Sequence, residues 1–301
     1  MKERVGFIGA GLMGHGAAKH ILAAGHPLTV LGHRNREPID DLIGRGAEEA
    51  RTPAELAAGS DIVFLCLPGT PVVDRVLHGE DGVLAAAREG LIVLDMTTSM
   101  PDATLRFGDE LAERGARLLD APMTRTPKEA EEGRLNVLLG GDAETVARAR
   151  PVVETFCENV FHVGPLGSAH RFKLVHNLVS IANMAVVLEA EVAAAKLGID
   201  LRQFHEIASV GGANSVMLQK LMPYPLSGDA SGLEAHATTA VKDLRYYNTM
   251  ADDAGLHSIM SKAAQQLFQL ATNLGHGDAH IPALFDAFAE LNGVGRRGGT
   301  G

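Results

Sequence analysis

Val5-Gly6-Phe7-Ile8-Gly9-Ala10-Gly11-Leu12-Met13-Gly14, close to the N-terminus, decides how this chain folds. Its first residues are a short apolar run with strand character. The glycines that follow have G-x-G-x-x-G spacing and open an Ala-rich helical stretch that stops near Gly25. In that setting each glycine has its own task. Gly9 permits a tight turn, Gly11 lets backbone approach a pyrophosphate, and Gly14 lets the helix pack closely on the strand, with the helix N-terminus facing the anion. Ala10, Leu12 and Met13 complete the turn. The stretch predicts a dinucleotide held at the first βα turn of a Rossmann-type sheet.

Working outward, short apolar runs alternate with helical segments through the first half. Residues 4–8, 28–31, 62–67, 91–95, 117–119 and 135–139 are the expected strands, and Thr52-Pro53-Ala54-Glu55 starts a helix with a capping box and Pro at its first position. Alternation of this kind predicts a doubly wound parallel sheet covered on both faces. From about Gly164 the strand signals stop. Residues 168–196 keep a helical period for about 45 Å, longer than ordinary globular helices, so this segment is expected to join two domains. Further helices are expected up to Asn292, broken at Gly211-Gly212, Pro223-Tyr224-Pro225, Gly228–Gly232 and Gly275–Gly277. The expected organisation is an α/β dinucleotide-binding domain at 1–164, an all-helical substrate and dimerisation domain at 165–294, and a frayed tail at 295–301.

Composition narrows the function classes. In 301 residues, 46% are hydrophobic and 21% charged, which suits a packed globular chain. With 27 basic against 37 acidic side chains, no Trp and no basic run, nucleic acid is not an expected partner. Two cysteines, Cys66 and Cys157, form neither a disulfide framework nor a CxxC pair, and no signal-peptide pattern opens the chain, so cytoplasmic residence is expected. The most apolar stretch, 178–195, carries Asn183, Glu189 and Glu191. It is read as a buried helix rather than a membrane span, with the two glutamates as solvated or capping charges. His276-x-x-x-His280 lacks further ligands at metal spacing and Gly-x-Ser-x-Gly is absent, so neither a metal site nor hydrolase chemistry is expected.

The end of the second strand leads into Gly32-His33-Arg34-Asn35-Arg36. An acid to hold the ribose hydroxyls of NAD(H) is missing there, and cationic residues suit a 2′-phosphate. NADP(H) is therefore expected over NAD(H), with His33, Arg34 and Asn35 in contact with it, although NAD(H) remains usable. On the long helix, Lys173, Asn177 and Ser180 fall at i, i+4 and i+7 and share one face, while Leu174, Val175, Leu178, Val179 and Ile181 cover the rest. An ammonium beside a carbonyl can exchange a proton with it. Taken alone, the same pair also fits a lysine whose charged end reaches solvent past apolar neighbours.

Several segments together resemble the β-hydroxyacid dehydrogenases: Phe7 to Gly14, Leu67-Pro68, Asp95-Met96-Thr97-Thr98, Asp120-Ala121-Pro122, Gly140-Gly141, Lys173 through Asn177, and Lys242-Asp243-Leu244. The resemblance covers about residues 4 to 292. It implies that Lys173 is the catalytic acid/base, that Asn177 orients substrate, that Leu67, Pro68 and Thr98 contact the cofactor, and that Lys242 meets both nicotinamide and substrate. Where the family usually has Val-Ser-Gly-Gly after Asp-Ala-Pro, this chain has Met123-Thr124-Arg125-Thr126, an Arg form similar to that of the sulfolactaldehyde reductases. A guanidinium fork at Arg125, with Thr124 and Thr126, is expected to clamp a carboxylate, sulfonate or phosphate. His176 replaces the family's usual Asn and, with Ser180, is a further candidate for substrate contact.

The expected activity is therefore reversible NAD(P)-dependent interconversion of a small anionic aldehyde and its hydroxy acid, by a homo-oligomer without membrane attachment. Two rivals share the fold. An imine reductase would usually have Asp or Tyr in place of Lys173, and a catalytically silent dinucleotide sensor would have no need of Lys173 and Asn177.

Overall fold

The computed structural model describes residues 2–295, so the expected tail lies outside the described residues apart from Gly295. By its contacts the chain divides into one unit ending at Lys173 and another beginning at Leu174.

In the first unit, nine strands make one sheet: β1 (Val5–Ile8), β2 (Leu28–Leu31), β3 (Glu48–Ala50), β4 (Ile62–Leu65), β5 (Ile92–Asp95), β6 (Arg117–Asp120), β7 (Met123–Thr124), β8 (Leu135–Gly140) and β9 (Cys157–Gly164). The helices between them are α1 (Gly14–Ala23), α2 (Glu37–Gly44), α3 (Pro53–Gly59), α4 (Thr70–His78), α5 (Pro101–Ala112), α6 (Pro127–Glu131) and α7 (Ala143–Val153). The order β3-β2-β1-β4-β5-β6, parallel throughout, is that of a doubly wound dinucleotide-binding sheet, and it reverses direction between β1 and β4. The strands are apolar on both sides because helices cover both faces. Phe7, Phe64 and Leu94 pack into one core layer, while Ile8, Leu65 and Val93 pack into the other. Phe7 and Phe64 stack with ring centroids 5.7 Å apart.

The far side of the sheet departs from the all-parallel expectation. β8 runs antiparallel to β6 and β7, and β9 then pairs parallel to β8. The segment between β6 and β8 holds only the two residues of β7 and the short α6, too little for a helical crossover, so the chain returns antiparallel. The start signal at Thr52 behaves as expected: its side chain accepts from the Glu55 N–H at 3.1 Å. The Glu55 carboxylate reaches back one residue further, to the Arg51 N–H at 2.9 Å.

The helix α8 (Ser168–Lys196) spans the expected 29 residues. It is long and apolar enough to cross a bilayer, with a mean hydropathy of 1.7 over its most apolar window. Ile181, Met184, Leu188 and Val192 are nevertheless buried in the core of the helical unit. That unit adds α9 (Leu201–Ser209), α10 (Val216–Leu221), α11 (Pro223–Ser227), α12 (Ala237–Asp253), α13 (Ile259–Ala271) and α14 (Leu284–Leu291). Asp200 caps α9 and Ser215 caps α10. The break expected at Pro223-Tyr224-Pro225 falls at Met222, between α10 and α11, and Pro223 opens α11, since Pro at the first helical position gives up no needed N–H.

Glu191 corrects the sequence reading. It is fully buried, neither carboxylate oxygen has a hydrogen-bond partner, and desolvation pushes its pKa up to about 8. Glu189 is exposed, as expected of a residue two positions away on a helix.

Candidate active site

The glycine turn sits at the C-terminal end of β1, beside the residues that follow β4. Gly9 has φ 102°, and a Cβ there would collide with the Cys66 backbone carbonyl. A Cβ at Gly14 would press on the Gly9 carbonyl and on the Phe7 ring, whereas one at Gly11 would meet nothing within 4 Å. Two glycines are thus demanded by the protein's own packing. The third leaves an open approach to the start of α1, which has no acid in its first turn and no side-chain cap. Ala10 is buried, Met13 half-buried and Leu12 64% exposed. This cradle fits a dinucleotide diphosphate.

Around the turn, the Leu67 N–H donates to Thr97 Oγ1 at 3.1 Å, and the Thr97 N–H to Asp95 Oδ1 at 2.9 Å. Leu67 and Thr98 are half-buried and Pro68 is exposed. At the end of β2, His33 and Arg34 are exposed, and Asn35 Oδ1 accepts from the Glu37 N–H at the start of α2. Arg36 is committed: it donates to Asp40 at 2.8 Å and to both oxygens of Glu49 at 2.5 and 3.0 Å.

Lys173 is half-buried on α8, and its Nζ donates to the Met123 carbonyl at 2.7 Å. What fixes that helix start escaped the sequence reading. Asp120 is fully buried and accepts from the N–H groups of Gly167 and His170, each at 2.8 Å, so a carboxylate on β6 clamps the first turn of α8. The His170 ring, also buried, shares a hydrogen bond of 2.7 Å with Thr104 and lies 4.0 Å from Asp95, which holds Ser99 and Thr97. Burial raises the Asp95 pKa, against the charge of His170. A polar chain of contacts therefore runs past the C-terminal ends of β4 and β5, from the Leu67 loop to the turn before Lys173. Its sequence signal was present, since Asp95 and Asp120 each end an apolar strand.

The loop after Asp120-Ala121-Pro122 is organised differently from the expectation of a free anion clamp. Arg125 has φ 84°, and its guanidinium donates to the Glu158 carboxylate on β9 and to the Arg134 carbonyl. Thr126 caps α6 through a reciprocal capping box with Glu129. Thr124 Oγ1 accepts from Asn136 at 3.1 Å, and Asn136 in turn accepts from Asn159. A guanidinium in the bend after β7 finds a carboxylate on β9, which spacing in sequence does not reveal.

In the helical unit, Asn177 is buried and donates to Asp243 Oδ2 at 2.7 Å, and its oxygen lies 3.2 Å from His176 Nδ1. Lys242 Nζ sits 3.2 Å from Asp243 Oδ1 and 5.7 Å from the centre of the Tyr246 ring. Asp243 thus joins two predicted site residues and was itself overlooked. Ser180 is half-buried, and its hydroxyl is directed at the Met217 sulfur, 4.0 Å away. The polar stripe is real, but the apolar residues around it divide: Leu174 and Ile181 are buried along with Asn177, while Phe172, Val175 and Val179 are exposed.

Residues 4–164 match the family described as the NAD binding domain of 6-phosphogluconate dehydrogenase, and residues 167–287 the family described as NAD-binding of NADP-dependent 3-hydroxyisobutyrate dehydrogenase. The chain is 30% identical over 298 residues to the 2-(hydroxymethyl)glutarate dehydrogenase of Eubacterium barkeri, covering 98% of each protein. It is 34% identical over 219 residues to the 2-hydroxy-3-oxopropionate reductase of Escherichia coli, covering 72% of this chain and 73% of that one. Among solved structures, Psf3 in complex with NADP+ and 2-OPP matches with a TM-score of 0.83 at 28% identity, covering 94% of this chain and 99% of the other.

Proposed function

Because this chain belongs to the β-hydroxyacid dehydrogenase family, and so is an NAD(P)-dependent oxidoreductase acting on CH–OH donors, we propose that it interconverts a small anionic aldehyde and the corresponding hydroxy acid, with Lys173 as general acid/base. The observation that carries this reading is the half-buried Lys173 ammonium, 2.7 Å from the Met123 carbonyl in the loop where the family binds substrate. The bound nicotinamide supplies or accepts the hydride. Lys173 delivers a proton to the substrate oxygen in the reducing direction and takes it back in the oxidising one. Asn177, held by Asp243, orients the substrate.

Thr124, Arg125, Thr126, His176, Ser180 and Lys242 are the proposed substrate contacts. For Arg125 this means exchanging the Glu158 carboxylate for that of the substrate, a swap of like for like in a site open enough to allow it. The turn from Gly9 to Gly14 takes the diphosphate, Leu67, Pro68 and Thr98 line the cofactor, and exposed His33 and Arg34 favour NADP(H) over NAD(H). The half-exposed apolar side chains Phe172, Val175, Val179 and Val186 along α8 suit a homo-oligomer.

The test is Lys173→Ala. Its kcat is expected to fall by about 10²–10⁴, with NADPH affinity changed by less than about threefold, because only a contact to the reacting oxygen is lost. Turnover within about tenfold of the parent would refute the role.

A further inference from the structure

The second strand lacks the acid that normally receives the ribose 2′-hydroxyl, yet an acid stands at its end all the same. β3 pairs with β2 in the register Val30↔Glu49 and Leu31↔Ala50, which brings Glu49 alongside the last residues of β2. The side chain of Glu49 folds over Gly32, so that a Cβ on Gly32 would strike Glu49 Oε1 and Arg36 Nη1. The ion pair between Arg36 and Glu49 therefore occupies the space that a side chain on the residue after β2 would take. The pair is bidentate, at 2.5 and 3.0 Å, and Asp40 adds a third contact at 2.8 Å.

We infer that Glu49 is a residue that determines cofactor specificity, an acid brought in from the neighbouring strand to the ribose end of the dinucleotide site. This rests on the NADP(H)-binding reading of that site. Its carboxylate acts in two ways. It offers an acceptor to a ribose 2′-hydroxyl and repels a 2′-phosphate. It also holds the Arg36 fork, the group best shaped to grip that phosphate. Together Arg36, Glu49 and Asp40 carry one net negative charge, so Arg34 and His33 alone are left to favour the phosphate, and discrimination between the two cofactors is held down. Arg36 keeps Glu49 below the ordinary carboxylate range, so this charge is present throughout the neutral pH range.

Glu49→Gln removes the charge and keeps the shape. Both side chains of the pair are partly exposed, at 46% and 34%, so the fold should tolerate the change. Calorimetric titration of the cofactor-free protein with adenosine 2′,5′-bisphosphate and with AMP reads the ribose end directly. Glu49→Gln should bind the bisphosphate about tenfold more tightly and AMP no better, as expected for loss of one nearby like charge. The ratio of kcat/KM for NADPH over NADH should rise about tenfold in parallel. Adding Arg36→Ala to Glu49→Gln should remove the share of the gain that the freed guanidinium supplies and leave the share that comes from lost repulsion. A bisphosphate-to-AMP ratio within twofold of the parent in Glu49→Gln would overturn the inference. A parent protein that prefers NADH refutes the NADP(H) reading instead, and leaves the direction of the Glu49→Gln shift to be judged independently.

Discussion

Two of the fully buried acids, Asp120 in the first unit and Glu191 in the second, are treated in opposite ways. Asp120, at the end of β6, receives two backbone N–H bonds of 2.8 Å from the first turn of α8. Glu191, on α8 among the residues of the helical core, receives none, and desolvation raises its pKa to about 8. The difference shows that burial alone does not make a carboxylate a liability. What decides is the supply of donors, and the orphan N–H groups of a helix start are the most concentrated supply a fold has.

The largest expected effect comes from taking away the satisfied acid. Asp120→Ala strands the Gly167 and His170 N–H groups in the interior and should cost about 3 kcal/mol in urea unfolding. Because Lys173 follows one turn later, kcat at saturating substrate should also fall about tenfold or more at a temperature where the variant is fully folded. A stability loss with kcat intact would mean that the clamp serves the fold alone.

Removing the orphan acid should have the reverse sign, and only in part of the pH range. A carboxyl whose folded pKa is raised binds its proton more tightly when folded than when unfolded, so stability falls as pH climbs from the unfolded value, near 4.5, through about 8. Glu191→Gln should therefore match the parent below pH 4 and be more stable by about 2 kcal/mol at pH 9, measured by denaturant unfolding at each pH. A constant difference across pH would remove the charge argument.

The smallest effect belongs to Arg125, whose charge is paired at the surface. Arg125→Gly relieves a left-handed backbone that only glycine adopts without strain, and loses a half-exposed ion pair with Glu158. The two contributions nearly cancel, so stability should stay within about 1 kcal/mol of the parent by urea titration. The KM for an anionic substrate should meanwhile rise about tenfold, which separates recognition from folding.

The fold was legible because its signals are local. The six strands with continuous apolar runs, the glycine turn and the 29-residue α8 each follow from periodicity or spacing. The strands that went unread are β3, only three residues with two glutamates, β7, only two residues, and β9, an edge without a fully buried residue, where little burial leaves little pattern. Lys173 and Asn177 could be placed on one face by counting. Their partners Met123, Asp120 and Asp243 are contributed by other elements, so only the tertiary fold could reveal them. Arg36 and Arg125 made the same point in reverse. Each cation read as available for a ligand is already engaged by a carboxylate from a neighbouring strand.

The placement of Arg125 across from Glu158 also has a meaning for the life of the protein in a crowded solution. Among the described residues β9 pairs only with β8, and it carries Phe161 half exposed along eight residues, the kind of open margin onto which a second chain can add a strand. A bulky pair of opposite charges fastened at its beginning, beside a register shift between Leu135 and Asn136, spoils the flat template that such addition needs. The same guanidinium that departs from the family's glycine is thus a guard on the sheet's open border, and a return to glycine there would loosen that guard.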